Sequence, residues 1–206
     1  MTIMGLRLYL LDKWTPGYLL QRELDRISRT TISALQKTLD IYAPQFPFES
    51  PGTMQSVRSL VKKRAAMARQ HAVLVEALEK ILGTNQAIEV GRNAMFEAGR
   101  KLGKEARDQL GVGESLKDLV RAAQIMYRIL GIRFVVEWTS PTSAKLVVNR
   151  CALSKDYSNL TCLILSAVDE GVVEGLNGKI QMSFQDRIAN GCSECTATVS
   201  AKPRED

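Results

Sequence analysis

The sequence predicts an α+β fold: an antiparallel four-stranded, or slightly larger, sheet with helices packed on one face, plus an N-terminal helical extension. Three observations predict it. Apolar residues recur at spacings of three and four to about residue 130, the mark of amphipathic helices. The period then switches from 3.6 to 2 in "GIRFVVEW", where Ile132, Phe134, Val136 and Trp138 alternate with Arg133, Val135 and Glu137. One further helical segment divides the first two strands from the last two, an order that lays helices on one face of an antiparallel sheet. Residues 1–85 are expected to form the helical extension, 86–201 the α+β domain and 202–206 a solvated tail.

Taken in order, residues 17–42 read as a helix with Leu20, Leu24, Ile27, Leu35 and Leu39 on one stripe. "YAPQFPFESPGT" ends it, because prolines cannot continue a helix. A second helix is expected from about Thr53 to Leu82, with Gly83 as its C-terminal stop. The third covers about 86–110. It carries Gly99 and Gly103 one turn apart, and since each glycine costs roughly 1 kcal/mol inside a helix, the pair signals close backbone approach to a neighbour. Ser115 and Asp118 form a capping-box variant at the start of a fourth helix ending near Leu130 and Gly131. "TSPT" turns the first strand into "SAKLVVNR". A fifth helix is expected over Ser158 to Glu174, then strands "KIQMSFQDR" and "CTATVSA".

Composition narrows the function classes. The chain has 206 residues, 45% of them hydrophobic, and no apolar run of the roughly 20 residues a membrane span needs. Arg7 and Asp12 interrupt the apolar start, which reads against a signal peptide, and four cysteines then suit a reducing compartment; the expected location is cytoplasmic. The net charge of +6 lies wholly in residues 1–70, with 11 Lys+Arg against 5 Asp+Glu. The cluster "VKKRAAMARQ" reads as a solvated helix face rather than a nucleic-acid site, because no aromatic residues are interleaved with its cations. No glycine-rich phosphate loop occurs, so no nucleotide cofactor is expected. His71, the one histidine, reads as a helix-surface residue.

The cysteines carry the chemistry. Cys151 stands just past the second strand and Cys162 near the start of the fifth helix. That helix carries the chain away, the third strand returns it, and "IANGCSEC" then turns with Cys192 and Cys195 at the same end. All four thiols are therefore expected at one pole. They suit zinc or an iron–sulfur cluster, a redox or nucleophilic cysteine, or plain buried thiols, and the spacing leaves these three open.

"NAMFEAGRKLGKEARDQLGV", "RILGIRFVVEW" and "CLILSAVDEGVVEGLNGKIQMSFQDRIANGCSEC" resemble the 4-vinyl-reductase-type small-molecule-binding domain and the related L-2-amino-thiazoline-4-carboxylic acid hydrolase-like proteins. The shared pattern is a cysteine opening a helix, glycines at its end (Gly171, Gly175, Gly178), a strand, and a turn from Gly191 to Cys195, over about residues 92–200. The resemblance implies an apolar pocket between helices and sheet, often in a dimer. It also implies a zinc site in metal-binding relatives, whose helix-start and final-turn cysteines match Cys162 and Cys195. The other two ligands of that site fall at Gln185 and Ile188, neither a thiolate nor a carboxylate. Cys192 or Cys151 would have to substitute, and the hydrolase-like relatives carry a cysteine where Cys151 stands.

Three functions follow as expectations. The first is a small-molecule-binding protein, its pocket lined by Phe96, Met126, Tyr127, Phe134 and Trp138, taking a small hydrophobic or aromatic molecule, with a metal site at Cys151, Cys162, Cys192 and Cys195. The second, implied by the resemblance, is a hydrolase opening a small cyclic C–N or C–S substrate such as a thiazoline carboxylate. It would use a metal-bound water or a Cys162 thiolate at a helix N-terminus, with Asp169, Glu170 or Asp186 as proton carrier. The third is a homodimeric scaffold that docks partners through its basic N-terminal helices.

Overall fold

The computed structural model describes residues 8–11, 14–44 and 59–203. Five long helices and four strands follow in the order α1 (Gly17–Tyr42), α2 (Leu60–Leu82), α3 (Thr84–Leu110), α4 (Leu116–Leu130), β1 (Ile132–Ser140), β2 (Ser143–Cys151), α5 (Asn159–Leu176), β3 (Ile180–Asp186) and β4 (Cys195–Ala201). The α+β class stands. The proposed start of the second helix at Thr53 lies outside the described residues; within them α2 begins behind Ser59, whose hydroxyl accepts from the Lys62 amide. Ser115 and Ser158 cap α4 and α5 in the same way, each accepting at 3.1 Å from the amide three residues on. Gly111 and Gly131 end α3 and α4 in the left-handed conformation that glycine adopts freely.

The strands form one antiparallel sheet in the order β1-β2-β4-β3. Along β1 the inward alternation holds through Ile132, Phe134 and Val136, then stops: Trp138 is 46% exposed. Its register partner Ala144 on β2 is fully buried, so cover at this level of the sheet reaches β2 but not the edge strand β1. Helix α5 lies between the sheet and helices α1, α2 and α3, while α4 packs on the sheet directly. Val173 and Leu176 of α5 pack with Leu146, Met182 and Val199, while its Ile164, Leu165 and Ala167 pack with Leu35, Leu74, Leu78 and Met95 of α1, α2 and α3. The N-terminal helices are thus built into the core.

Helices α3 and α5 meet backbone to backbone. A Cβ placed on Gly99 or Gly103 would overlap the carbonyl oxygen of Val168 or Val172, and one on Gly171 or Gly175 would overlap that of Phe96 or Arg100. Two small-residue stripes face each other in register, as the Gly99/Gly103 pair implied.

The basic cluster on α2 is not a solvated face throughout. Lys63 is 5% exposed and donates to both carboxylate oxygens of the half-buried Asp25 at 2.7 and 2.6 Å, a pair that ties α2 to α1. Arg64 donates to the Ile129 and Arg128 carbonyls, both at 2.8 Å, and so satisfies the open C-terminal end of α4. No helix among the described residues is long and apolar enough to cross a membrane.

Candidate functional site

The thiol pole forms where β2 ends, α5 begins and β4 begins. Ile132 and Cys151 are register partners at the root of the hairpin. From there the chain runs through Leu153 and Tyr157 into α5, which turns Cys162, Leu165, Ser166 and Asp169 toward one side, as residues three and four apart on a helix must lie. Strand β3 returns through Phe184 to Arg187, and Cys195 opens β4 beneath them. These residues line a cavity of about 100 Å³, and Ile27, Thr31, Met67 and His71 of α1 and α2 complete its wall. An apolar void of about 150 Å³ accepts benzene, so this space is on the scale of a single small ring.

Asp169 and Tyr127 form its polar floor. Burial pushes the Asp169 carboxyl up to about 7; the Tyr127 hydroxyl, which donates to it, holds it back in part, and Glu170 adds like-charge repulsion. Burial also raises the Tyr127 phenol well above its usual range, with Asp169 contributing. The same environment keeps the cysteines as thiols. Burial, helped by the other two sulfurs, pushes Cys162 up to about 12 against the pull of Arg187. Cys151 and Cys195 rise for the same first reason, opposed by backbone amides; the Ile188 amide donates to Cys195 Sγ at 3.2 Å. A helix N-terminus is worth about 0.3–1 kcal/mol to an anion, less than one pKa unit. It cannot offset a rise from 9.0 to about 12, so a Cys162 thiolate at the helix start is overruled by desolvation.

His71 was expected on a helix surface and is instead 2% exposed, on the cavity wall. Its surroundings fix its tautomer. Thr31 Oγ1 donates to the Ile27 carbonyl at 2.9 Å, so at 2.8 Å from His71 Nε2 it accepts. Burial lowers the His71 pKa to about 3, leaving the ring neutral and Nδ1 an acceptor; the Tyr157 hydroxyl, 2.8 Å away, donates to it. Tyr157 therefore offers the cavity only an oxygen lone pair. Arg187 supplies the opposite polarity: it donates to Ser166 Oγ at 3.2 Å and stacks on Phe184, and its buried Nε has no hydrogen-bond partner among the described residues. The cavity thus combines an acceptor, a donor and a carboxyl that exchanges its proton near neutrality.

The structure brings together Cys151, Cys162 and Cys195, and leaves Cys192 outside the lining, near enough to raise Cys195 electrostatically. Of the expected pocket residues, Tyr127 lines the cavity, and Met126 and Tyr127 line a smaller one of about 40 Å³ beneath α4. Phe134 meets Tyr127 edge-on with ring centroids 5.1 Å apart. Phe96 packs in the helical core and Trp138 stands in solvent. Among the three carboxylates considered as proton carriers, Asp169 alone lines the cavity; Glu170 pairs with Arg92 at 2.7 Å, and Asp186 accepts from Thr196 at 2.6 Å. A metal fits this donor set poorly. Among the described residues no three His, Cys, Asp or Glu side chains are grouped to hold an ion, and Arg187 adds a cation beside Cys162 and Cys195. No step is assigned to a metal here.

Known proteins share this architecture. A trafficking protein particle complex subunit 3 from Naegleria fowleri, covalently bound to palmitic acid, superposes with a TM-score of 0.53 at 15% identity, over 69% of this chain and 96% of its own. The phenol-responsive sensory domain of the transcription activator PoxR, with phenol, gives a TM-score of 0.53 at 15% identity, over 81% and 90%. At that identity the likeness is one of fold. No curated relative matches the sequence. Residues 61–198 match the model of the L-2-amino-thiazoline-4-carboxylic acid hydrolase family, a span that starts on α2 and takes in every cavity-lining residue except Ile27 and Thr31 of α1. That match covers well over half of the chain, and the protein belongs to this family.

Proposed function

We propose that the cavity at the thiol pole binds a small, largely apolar ring carrying one hydrogen-bond donor and one acceptor. The observation that carries the reading is an apolar space of about 100 Å³ lined by a few polar groups from different segments: Tyr157 as acceptor, Arg187 as donor, Asp169 at the floor. Pockets of this kind are apolar with a few placed polar groups, and those groups set specificity. The phenol in the PoxR sensory domain supplies a probe of suitable size. Phenol is expected to bind saturably by calorimetry, and Val148→Phe, which fills the cavity from β2, is expected to weaken it at least about tenfold with the fold retained. Binding indifferent to Val148→Phe would refute the reading.

A second reading, hydrolysis of a small cyclic C–N or C–S substrate, is favoured by one feature: Asp169 lines the cavity, where burial pushes its carboxyl up to about 7. Such a group can take a proton from an attacking water and return it to the leaving ring nitrogen or sulfur. Turnover of a thiazoline carboxylate is the test. Asp169→Asn is expected to lower kcat about 100-fold or more, the usual scale for losing general acid–base catalysis. Equal kcat in wild type and variant would dismiss this chemistry.

A further inference from the structure

Outside the cavity, between α2, the C-terminal end of α4 and the root of the β1–β2 hairpin, runs a groove of about 1200 Å³. Among the described residues its lining includes Arg64, Arg128, Arg133, Arg150 and Lys155, and no carboxylate. Arg64 is committed to backbone carbonyls. Arg133, Arg150 and Lys155 make no ion pair among the described residues. Arg133 and Arg150 are moreover direct register partners across the hairpin, so their side chains leave the sheet side by side on one face. Like charges in that relation repel, and an anion between them reverses the sign of the interaction. The groove also shares two residues, Ile132 and Cys151, with the cavity wall.

We infer that this groove binds a diphosphate-class anion, and that the ligand of the cavity is a small apolar group carried on such a phosphorylated handle. The second clause rests on the cavity reading proposed above; the first does not. A single carboxylate would answer one of the clustered cations, whereas a diphosphate spreads several charges and matches guanidinium geometry in bidentate fashion. No glycine-rich loop is needed, since the contacts come from side chains. Ile132 and Cys151 of the hairpin root line both spaces, and it is around this root that one molecule would reach from the cations to the ring site.

The test titrates wild type and the Arg133→Gln/Arg150→Gln variant with inorganic pyrophosphate, phenol and 3-phenylpropyl diphosphate. Both arginines are exposed and mutually repulsive, so the variant is expected to melt no lower than wild type. Pyrophosphate is expected to bind saturably, to weaken as salt rises, and to lose about tenfold or more in the variant, while phenol binding stays unchanged. The joined probe is expected to bind at least about tenfold tighter than pyrophosphate, a gain that Val148→Phe removes. No saturable pyrophosphate binding, or equal binding by the variant, overturns the anion site. Binding of duplex DNA or anionic lipid vesicles through these arginines without pyrophosphate binding overturns it in favour of a macromolecular partner. Pyrophosphate binding with no gain from the phenylpropyl arm overturns the link to the cavity. Loss of phenol binding alone, with pyrophosphate intact, sinks the cavity reading and leaves the groove standing.

Discussion

Gly171→Ala is expected to destabilise the protein by about 2–4 kcal/mol, although alanine is the better helix former by about 1 kcal/mol. The sign is the informative part. A methyl at Gly171 overlaps the Phe96 carbonyl oxygen, and helix backbone, unlike a side chain, cannot turn aside; α3 and α5 must separate along their length. The same holds for Gly99, Gly103 and Gly175. Gly91 is the control: there a Cβ would meet only the side chain of Ile164, 3.0 Å away, which can adjust. Urea unfolding of the two alanine variants should therefore differ by about 2 kcal/mol or more in favour of Gly91→Ala. Separation of α3 and α5 also moves Cys162, Ser166 and Asp169, so surviving Gly171→Ala protein should bind phenol more weakly.

Asp169→Asn is expected to stabilise the protein at alkaline pH by up to about 4 kcal/mol, the worth of a carboxyl held near 7 instead of near its ordinary value of about 4. The native state holds this proton more tightly than the unfolded chain. The stability it represents is complete below about pH 4, falls as the unfolded carboxyl ionises, and is gone once pH passes 7. The difference between wild type and variant should accordingly be near zero at pH 4 and reach its plateau above pH 7. His71 works the other way: its native pKa of about 3 lies below the ordinary 6.5, so its contribution is full above pH 6.5 and is lost on acidification toward 3. The two windows overlap and partly cancel in wild type, which is why the difference curve, and not the wild-type profile, isolates Asp169. A difference independent of pH would mean that the carboxyl ionises normally in the fold.

Much of this arrangement is legible in the residues. The switch from helical to strand period after Gly131 fixes the element order, and reversal of direction by α5 and β3 brings Cys151, Cys162 and Cys195 together from 45 residues of chain. Gly99 and Gly103 announce a close helix contact, though not their partners Gly171 and Gly175. What escapes is whatever depends on contacts between distant helices. His71 sits on the α2 stripe of Met67, Leu74, Val75 and Leu78, a signal of burial; its partners Thr31 and Tyr157 lie 40 and 86 residues away. Trp138 follows the strand period faithfully and is still 46% exposed, because β1 is an edge strand and the core covers its partner Ala144 on β2 instead, a distinction the alternation alone does not carry. Asp169 could be shortlisted with Glu170 and Asp186, yet only the packing of α5 against Tyr127 separates it from the other two.

The site is centred on a carboxyl at the floor of an apolar, ring-sized pocket, and the titration of Asp169 tests this most directly. With carbon-13-labelled aspartate, the resonance absent from Asp169→Asn should titrate near pH 7 in free protein, and higher with phenol bound, since filling the cavity desolvates the carboxyl further. A midpoint near 4 that phenol leaves unmoved would contradict it.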